Sequence, residues 1–378
     1  MTEFLRARYS LFPVPGEDGV ERARHLAREQ TVECPPGIAP EAEERALGRV
    51  DRVEPLPDGG SQATISYPVA ATGGELLQLL NVLWGNVSLW NGVRLEAVDW
   101  PSGLLARFRG PAFGVDGLRR LCAAEPGRPL LATALKPMGS TVRELARRAG
   151  EVALGGVDLV KDDHGLSDQE WAPFRERVLA CAEMVHRANR ATGGSTLYAP
   201  NLTGPVDRMA QRLEVLADAG CRAALIAPLL VGLDTVRSLA ETSGVALIAH
   251  PAFAGSFIRS ATSAENGIAP GVLFGDVFRL AGADAVVFPN AEGRFPYTVE
   301  DCLAIESRLG ARMAGFERSF LMLGGGIDAA RLERWIPVYG PNTIYLLGGS
   351  LFARASPRDG AAELASLVRR ISPREEAS

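Results

Sequence analysis

From Arg128 onward the sequence alternates, eight times over, between a short apolar run and a longer amphipathic stretch. The apolar runs fall at residues 130–135, 157–161, 196–199, 223–227, 246–249, 285–288, 320–323 and 343–347. Amphipathic segments such as 141–154, 168–192, 205–220, 233–242 and 299–309 follow them. Runs this short and this apolar read as strands buried on both faces, and the 3.6-residue period between them reads as helix. Strands joined through helices pair in parallel by right-handed crossovers. Eight such units close naturally into a TIM (β/α)8 barrel, whereas an open doubly wound sheet seldom reaches eight strands at so even a spacing. The fold class is therefore α/β.

Residues 1–115 keep a different rhythm, with strand candidates at 4–13, 63–69 and 93–99 and helix candidates at 18–28 and 74–83. That order predicts an α+β domain of ferredoxin-like kind, set before a barrel domain of residues 116–378. The stretch 34–44, CPPGIAPEAEE, is Pro-rich and acidic and reads as an exposed loop. The polar tail SPREEAS at 372–378 is expected to fray.

Charge narrows the class of partner. A formal charge of −5 is spread over both signs without a basic block, which excludes nucleic acid and an anionic membrane surface as expected partners and leaves a small molecule. No stretch is apolar for the length of a membrane span, and the N-terminus lacks a basic start followed by an apolar core. The five cysteines, Cys34, Cys122, Cys181, Cys221 and Cys302, are scattered and odd in number, as in a reduced, cytoplasmic protein.

A barrel gathers its chemistry at the C-terminal ends of its strands. Polar residues collect there: Lys136 after the first strand, Lys161 to His164 at the second, Asn201, His250 and Asn290 after the third, fifth and sixth. In GGVDLVKDDH (155–164) a lysine, two aspartates and a histidine leave a buried strand together, so desolvation and mutual charge can shift their pKa values. Asp163 and His164 could hold a divalent cation, with Lys161 joining them if its amine takes up CO2 as a carbamate. The same residues also read as a buried Lys–Asp ion pair beside a solvated histidine. Lys136 could serve as a general base or as a fixed cation, and His250, cut off by Pro251, reads as a site residue. Strands seven and eight end in Gly324, Gly325, Gly326 and in Gly348, Gly349. Glycines there suit a phosphate site, in which backbone N–H groups approach an anion with no Cβ between, although tight turns alone would also use them.

At these residues the chain resembles the large-subunit family of ribulose bisphosphate carboxylase, and within it the non-carboxylating RuBisCO-like proteins. The resemblance is carried by RPLLATALKPMG (128–139), GGVDLVKDDHGL (155–166), HPAFAG (250–255), LGGGID (323–328), LLGGSLF (346–352) and LWGNVSLW (83–90). It implies a homodimer, or an assembly of dimers, in which one subunit's N-terminal domain closes over the partner's site. Lys161 matches the carbamylated lysine (N6-carboxylysine) and Asp163 a Mg2+ ligand, while His164 stands where carboxylases have a metal-binding glutamate. Lys136 matches the lysine near the enediolate, Asn86 an N-domain asparagine at the metal-bound substrate, and Glu29, more loosely, an N-domain glutamate. Gly325, Gly326, Gly348 and Gly349 fall on one phosphate site.

The carboxylases' other phosphate site is dismantled, with Pro251 in place of its arginine, Val287 of its histidine and Gly324 of its serine. Arg294 replaces a mobile-loop lysine and Met138 a further active-site lysine. The resemblance thus implies a Mg2+-assisted enediolate of a monophosphorylated sugar and no carboxylation. Three reactions then compete. Isomerisation of 5-methylthioribulose 1-phosphate leads. Enolisation of 2,3-diketo-5-methylthiopentyl 1-phosphate is disfavoured by Asn86, where those enzymes usually carry a lysine. Decarboxylation of an oxo-isoapionate phosphate is the third. A sugar-phosphate-binding regulatory relative is the non-enzyme alternative.

Overall fold

The first sheet starts with a two-residue alternation. In β1 (Phe4–Leu11) Leu5, Ala7 and Tyr9 are sealed from water while Arg6 and Arg8 between them are exposed. With β2 (Arg49–Pro55), β3 (Ser61–Pro68) and β4 (Val93–Asp99) it makes an antiparallel sheet in the order β4-β1-β3-β2. Helices Gly19–Glu29 and Leu76–Trp84 make the two crossovers of a βαββαβ, ferredoxin-like unit. Asp18 caps the first of them, accepting from the amides of Val20 and Glu21 at 2.8 Å each.

These coordinates are a computed structural model describing residues 3–13, 16–259, 265–293, 295–313, 315–352 and 354–372; Arg294 and residues 373–378 lie outside the described residues. Two elements depart from the sequence reading. The edge strand β2 has no buried residue, so its charged RVDRVEP carries no apolar alternation to read. The stretch 34–44 is not loop throughout, because helix Pro40–Ala46 begins within it; with no buried residue that helix has no apolar period either.

The second sheet has eight parallel strands: β5 (Leu130–Leu135), β6 (Leu159–Asp162), β7 (Leu197–Ala199), β8 (Ala223–Ile226), β9 (Ala246–Ala249), β11 (Ala285–Pro289), β12 (Phe320–Ile327) and β13 (Thr343–Leu347). Their order is β7-β6-β5-β13-β12-β11-β9-β8. The ends meet where Leu225 N donates to Pro200 O at 2.8 Å and Leu202 N to Leu225 O at 2.7 Å, which makes the sheet a barrel. Inward positions, among them Leu130, Ala132, Leu159, Leu225, Ile248 and Phe320, pack as one cluster. Helix Gly114–Leu121 stoppers it from the strands' N-terminal end with Val115 and Leu118. Outward positions such as Leu131, Val160, Leu247 and Leu321 join the larger core beneath the helices. Each such side chain contributes about 1.5–3 kcal/mol through burial.

Some boundaries move. The helix expected from residue 168 starts at Phe174, whose amide donates to Asp168 Oδ1 at 2.7 Å. The helix expected at 205–220 is a 3-10 turn, Val206–Arg208, followed by Met209–Asp218. Between β9 and β11 a π-helical segment, Gly271–Val277, runs into Phe278–Leu280; it is buried all round and therefore shows no amphipathic period. Just before it, β10 (Gly267–Ile268) leaves the barrel layer and pairs in parallel with β4, Gly267 opposite Arg94 and Ile268 opposite Leu95. Asn266 fastens the crossing, accepting from Val93 N at 3.1 Å and donating to Ser88 O at 2.8 Å.

Candidate active site

Parity along the strands selects the side chains at the mouth. The inward series of β5, Leu130 and Ala132, continues through Ala134 to Lys136; that of β6 runs Leu159, Lys161, Asp163; that of β9 runs Ala246, Ile248, His250. The basic, acidic and imidazole groups thus continue the interior apolar columns upward, on one end of the barrel.

Asp162 has the opposite parity and a different fate. It accepts from Arg177 Nε at 3.1 Å, Tyr198 OH at 2.7 Å and the Asn201 amide at 3.0 Å, and both members of the Arg177–Asp162 pair are fully buried. The pair pins β6 to its helix and thereby holds Lys161 and Asp163 inward. Asn201, expected at the mouth, uses its side-chain amide to tie down the carbonyls of His164 and Leu166 at 3.0 and 2.8 Å. Asn290 turns into the outer layer, where Tyr339 OH donates to its Oδ1 at 3.3 Å.

Lys161 is 1% exposed, and its Nζ donates to the Asp162 carbonyl at 3.0 Å. Burial is the main cause that lowers its pKa to about 8, with the Lys136 charge adding to it and Asp163 opposing. Asp163 feels burial pushing it up, but hydrogen bonds from His164 and Lys136 and the charges of Lys161 and Lys136 hold it well below the usual carboxylate range. Lys136 Nζ is paired with Asp163 Oδ2, and His164 Nδ1 lies 2.7 Å from Asp163 Oδ1. His250 stacks on His164 and accepts the Ala252 amide at Nδ1, 3.1 Å away. Burial first, then Lys161 and His164, pushes its pKa far down, so the ring is neutral and carries its proton on Nε2.

The donor set bears on a metal. Among the described residues no three His, Cys, Asp or Glu side chains group so as to hold one. Mg2+ asks for oxygen ligands, and among the described residues of this cluster Asp163 is the one carboxylate that provides them. A buried amine of lowered pKa is the form of lysine that takes up CO2; as a carbamate Lys161 would add oxygens beside Asp163, and with that change the residues fit the cation.

The glycine ends of β12 and β13 face open space: a Cβ added at Gly325, Gly348 or Gly349 would meet no atom within 4 Å. Val287 is 5% exposed in the barrel interior, and a Cβ at Gly324 would touch Leu346 at 3.2 Å, so that side is apolar and close-packed. In the N-terminal domain Asn86 Nδ2 donates to Glu29 and Glu33, 3.0 Å to each. Those carboxylates border a groove of about 700 Å³ lined also by Cys34, Leu89 and Trp90. Glu33 ends the stretch EQTVE (29–33), whose sequence reads equally as a functional loop or a plain connection; only the fold brings it to Asn86. Arg331, which grips the Gly325–Gly326 backbone, carried no signal in the sequence, since only the fold brings it there.

Comparison with known proteins places the chain by family and fold. Residues 115–295 match the family described as ribulose bisphosphate carboxylase large chain, catalytic domain. A 5-methylthioribulose-1-phosphate isomerase of Rhodospirillum rubrum is 39% identical over 93% of this chain and 92% of its own. A 2,3-diketo-5-methylthiopentyl-1-phosphate enolase of Geobacillus kaustophilus is 35% identical over 76% of this chain and 69% of its own. The crystal structure of a RuBisCO-like protein from Rhodopseudomonas palustris superposes with a TM-score of 0.88 at 37% identity, covering 98% of this chain and 99% of the other. A dimeric archaeal Rubisco from Hyperthermus butylicus gives 0.88 at 26% identity, covering 97% and 90%.

Proposed function

Because the chain belongs to the ribulose bisphosphate carboxylase large-chain family, alongside the RuBisCO-like proteins, we propose that its barrel mouth moves a proton between carbons of a monophosphorylated ketose, as a 5-methylthioribulose-1-phosphate isomerase. The observation that carries this reading is a cluster of proton-handling groups, Lys136, Asp163, His164 and His250, beside a single open glycine cradle.

One phosphate fits the cradle of Gly325, Gly326, Gly348 and Gly349. The side formed by Pro251, Val287 and Gly324 carries no cationic side chain at those three positions for a second phosphate and presents an apolar wall, which favours a thioether over an anion. His250 donates from Nε2 to a substrate carbonyl oxygen, polarising it so that a neighbouring C–H becomes acidic. Lys136 Nζ is the proton carrier, taking the proton from one carbon and returning one to the next, while His250 Nε2 passes its proton to the carbonyl oxygen and takes one back from the neighbouring hydroxyl, so atoms and electrons balance without an oxidant. Asp163 sets the position of that amine. Mg2+, held by Asp163, His164 and a carbamate on Lys161, would supply Lewis-acid stabilisation of negative charge on a substrate oxygen. A second copy of the chain completes the site by bringing its Asn86 and Glu29 over the mouth, which makes the working unit a homodimer.

Incubation with 5-methylthioribulose 1-phosphate in D2O, followed by NMR, tests this. Deuterium entry with a rearranged carbonyl is the expected result. Turnover only of 2,3-diketo-5-methylthiopentyl 1-phosphate, or CO2 release only from an oxo-isoapionate phosphate, would replace isomerase by enolase or decarboxylase. Binding of a sugar phosphate with no exchange would make the chain a binder.

A further inference from the structure

The glycine bulge after β12 is gripped from behind by one arginine. The ladder between β12 and β13 pairs Gly324 and resumes at Ile327, so Gly325 and Gly326 stand out of it, with φ of 102° and 69°. Arg331 lies in the first turn of helix Ala329–Tyr339, its amide capped by Asp328 Oδ1 at 2.9 Å. From there its side chain turns back over the bulge. Nη1 donates to the carbonyls of Gly325 at 3.3 Å and Gly326 at 2.6 Å, and Nη2 to the carbonyl of Glu292, in the loop after β11, at 3.4 Å. A Cβ built on Gly326 would stand 2.1 Å from Nη1, so the guanidinium occupies the space a side chain at 326 would need.

Peptide geometry gives this grip a consequence. The C=O of Gly325 and the N–H of Gly326 share one trans plane and point in opposite directions. With the carbonyl turned onto Arg331, the N–H points away from the helix. Glycines at positive φ are otherwise free to flip that peptide, which would aim a carbonyl oxygen where the N–H had been. The carbonyl dipoles are at the same time compensated by a fixed positive charge.

We propose that Arg331 is a positioning residue for phosphate binding: it locks the peptide between Gly325 and Gly326 so that the N–H of Gly326 faces the substrate's phosphate, without touching the phosphate itself. This rests on the reading of the glycine ends as the phosphate cradle, and the test separates the two. Glu292 is also held through its carboxylate by Arg334, at 2.7 and 2.6 Å, which supplies a control on the same helix that leaves the glycine carbonyls alone.

The experiment is calorimetric titration of the full-length protein with inorganic phosphate, using wild type, Gly326→Ala, Arg331→Ala, Arg331→Lys and Arg334→Ala. Phosphate affinity should fall at least about tenfold in Gly326→Ala and Arg331→Ala, which corresponds to about 1.4 kcal/mol. It should recover to within about threefold of wild type in Arg331→Lys, whose ammonium can still donate to both carbonyls, and stay unchanged in Arg334→Ala. Loss in Gly326→Ala with wild-type affinity in Arg331→Ala overturns the role of Arg331 and leaves the cradle standing. Affinity indifferent to both substitutions overturns the cradle and the proposal with it. If Arg331→Ala does not fold, Arg331→Lys decides, because a loss as large as that of Gly326→Ala contradicts simple carbonyl anchoring.

Discussion

The imidazole rings of His164 and His250 lie face to face, 4.2 Å between centres and 13° from parallel. Two imidazolium ions would repel at that distance, so the stack requires one neutral ring, and burial together with the neighbouring lysine selects His250. Its proton then sits on Nε2, where a carbonyl oxygen can use it.

His250→Asn should therefore lower kcat by about 10²–10⁴-fold, the usual worth of a positioned proton donor. Because the histidine borders the mouth, the melting temperature should hardly change. Turnover within about twofold of wild type would remove His250 from the mechanism; steady-state kinetics and a thermal melt decide it.

Lys161 makes a pH-dependent claim. With its pKa lowered to about 8, roughly a tenth of the amine is neutral at pH 7 and half at pH 8. At fixed dissolved CO2, a 13C carbamate signal from labelled protein should grow between pH 6.5 and 8.5 and be missing in Lys161→Arg. A signal that survives the substitution would place the carbamate elsewhere.

The Arg177–Asp162 pair has both side chains at 0% exposure. Removing one partner leaves a buried charge unpaired, which costs about 3–5 kcal/mol. Arg177→Met should show that loss in urea unfolding. A loss under about 1 kcal/mol would mean that Asp162 is satisfied by Tyr198 and the Asn201 amide alone.

Asp276 links stability to pH. Burial raises its carboxyl to about 6 against the attraction of Arg308. The folded state thus holds the proton more tightly than the unfolded one. The stabilisation it contributes is complete below about pH 4 and disappears as pH rises through about 6. Unfolding free energies of wild type and Asp276→Asn, measured from pH 4.5 to 7.5, should diverge in that sense, with wild type falling relative to the variant. Parallel curves would show that Asp276 does not titrate in this window.

The barrel and its mouth were largely legible in the sequence because one rule, inward parity, governs both. The columns that read Leu159, Lys161, Asp163 and Ala246, Ile248, His250 announce where the core stops and the polar site begins. Elements without a buried face were not legible: β2 and helix Pro40–Ala46 bury nothing, and Gly271–Val277 buries everything, so neither case has a period. Asn290 misled because strand-end position alone does not state parity; it faces Tyr339, not the mouth. Arg331 was invisible because a side chain that folds back on backbone carbonyls leaves no trace in spacing.

The sheet that begins at Phe4 is not finished until Gly267 and Ile268 have been added beside β4. During synthesis the N-terminal domain must therefore wait, with β4 as an open edge able to pair with a foreign strand, until the chain has passed the fifth strand of the barrel. Completion of the smaller domain thus depends on the larger one. An isolated fragment ending near residue 115 would carry that unfinished edge permanently, and self-association is its expected fate.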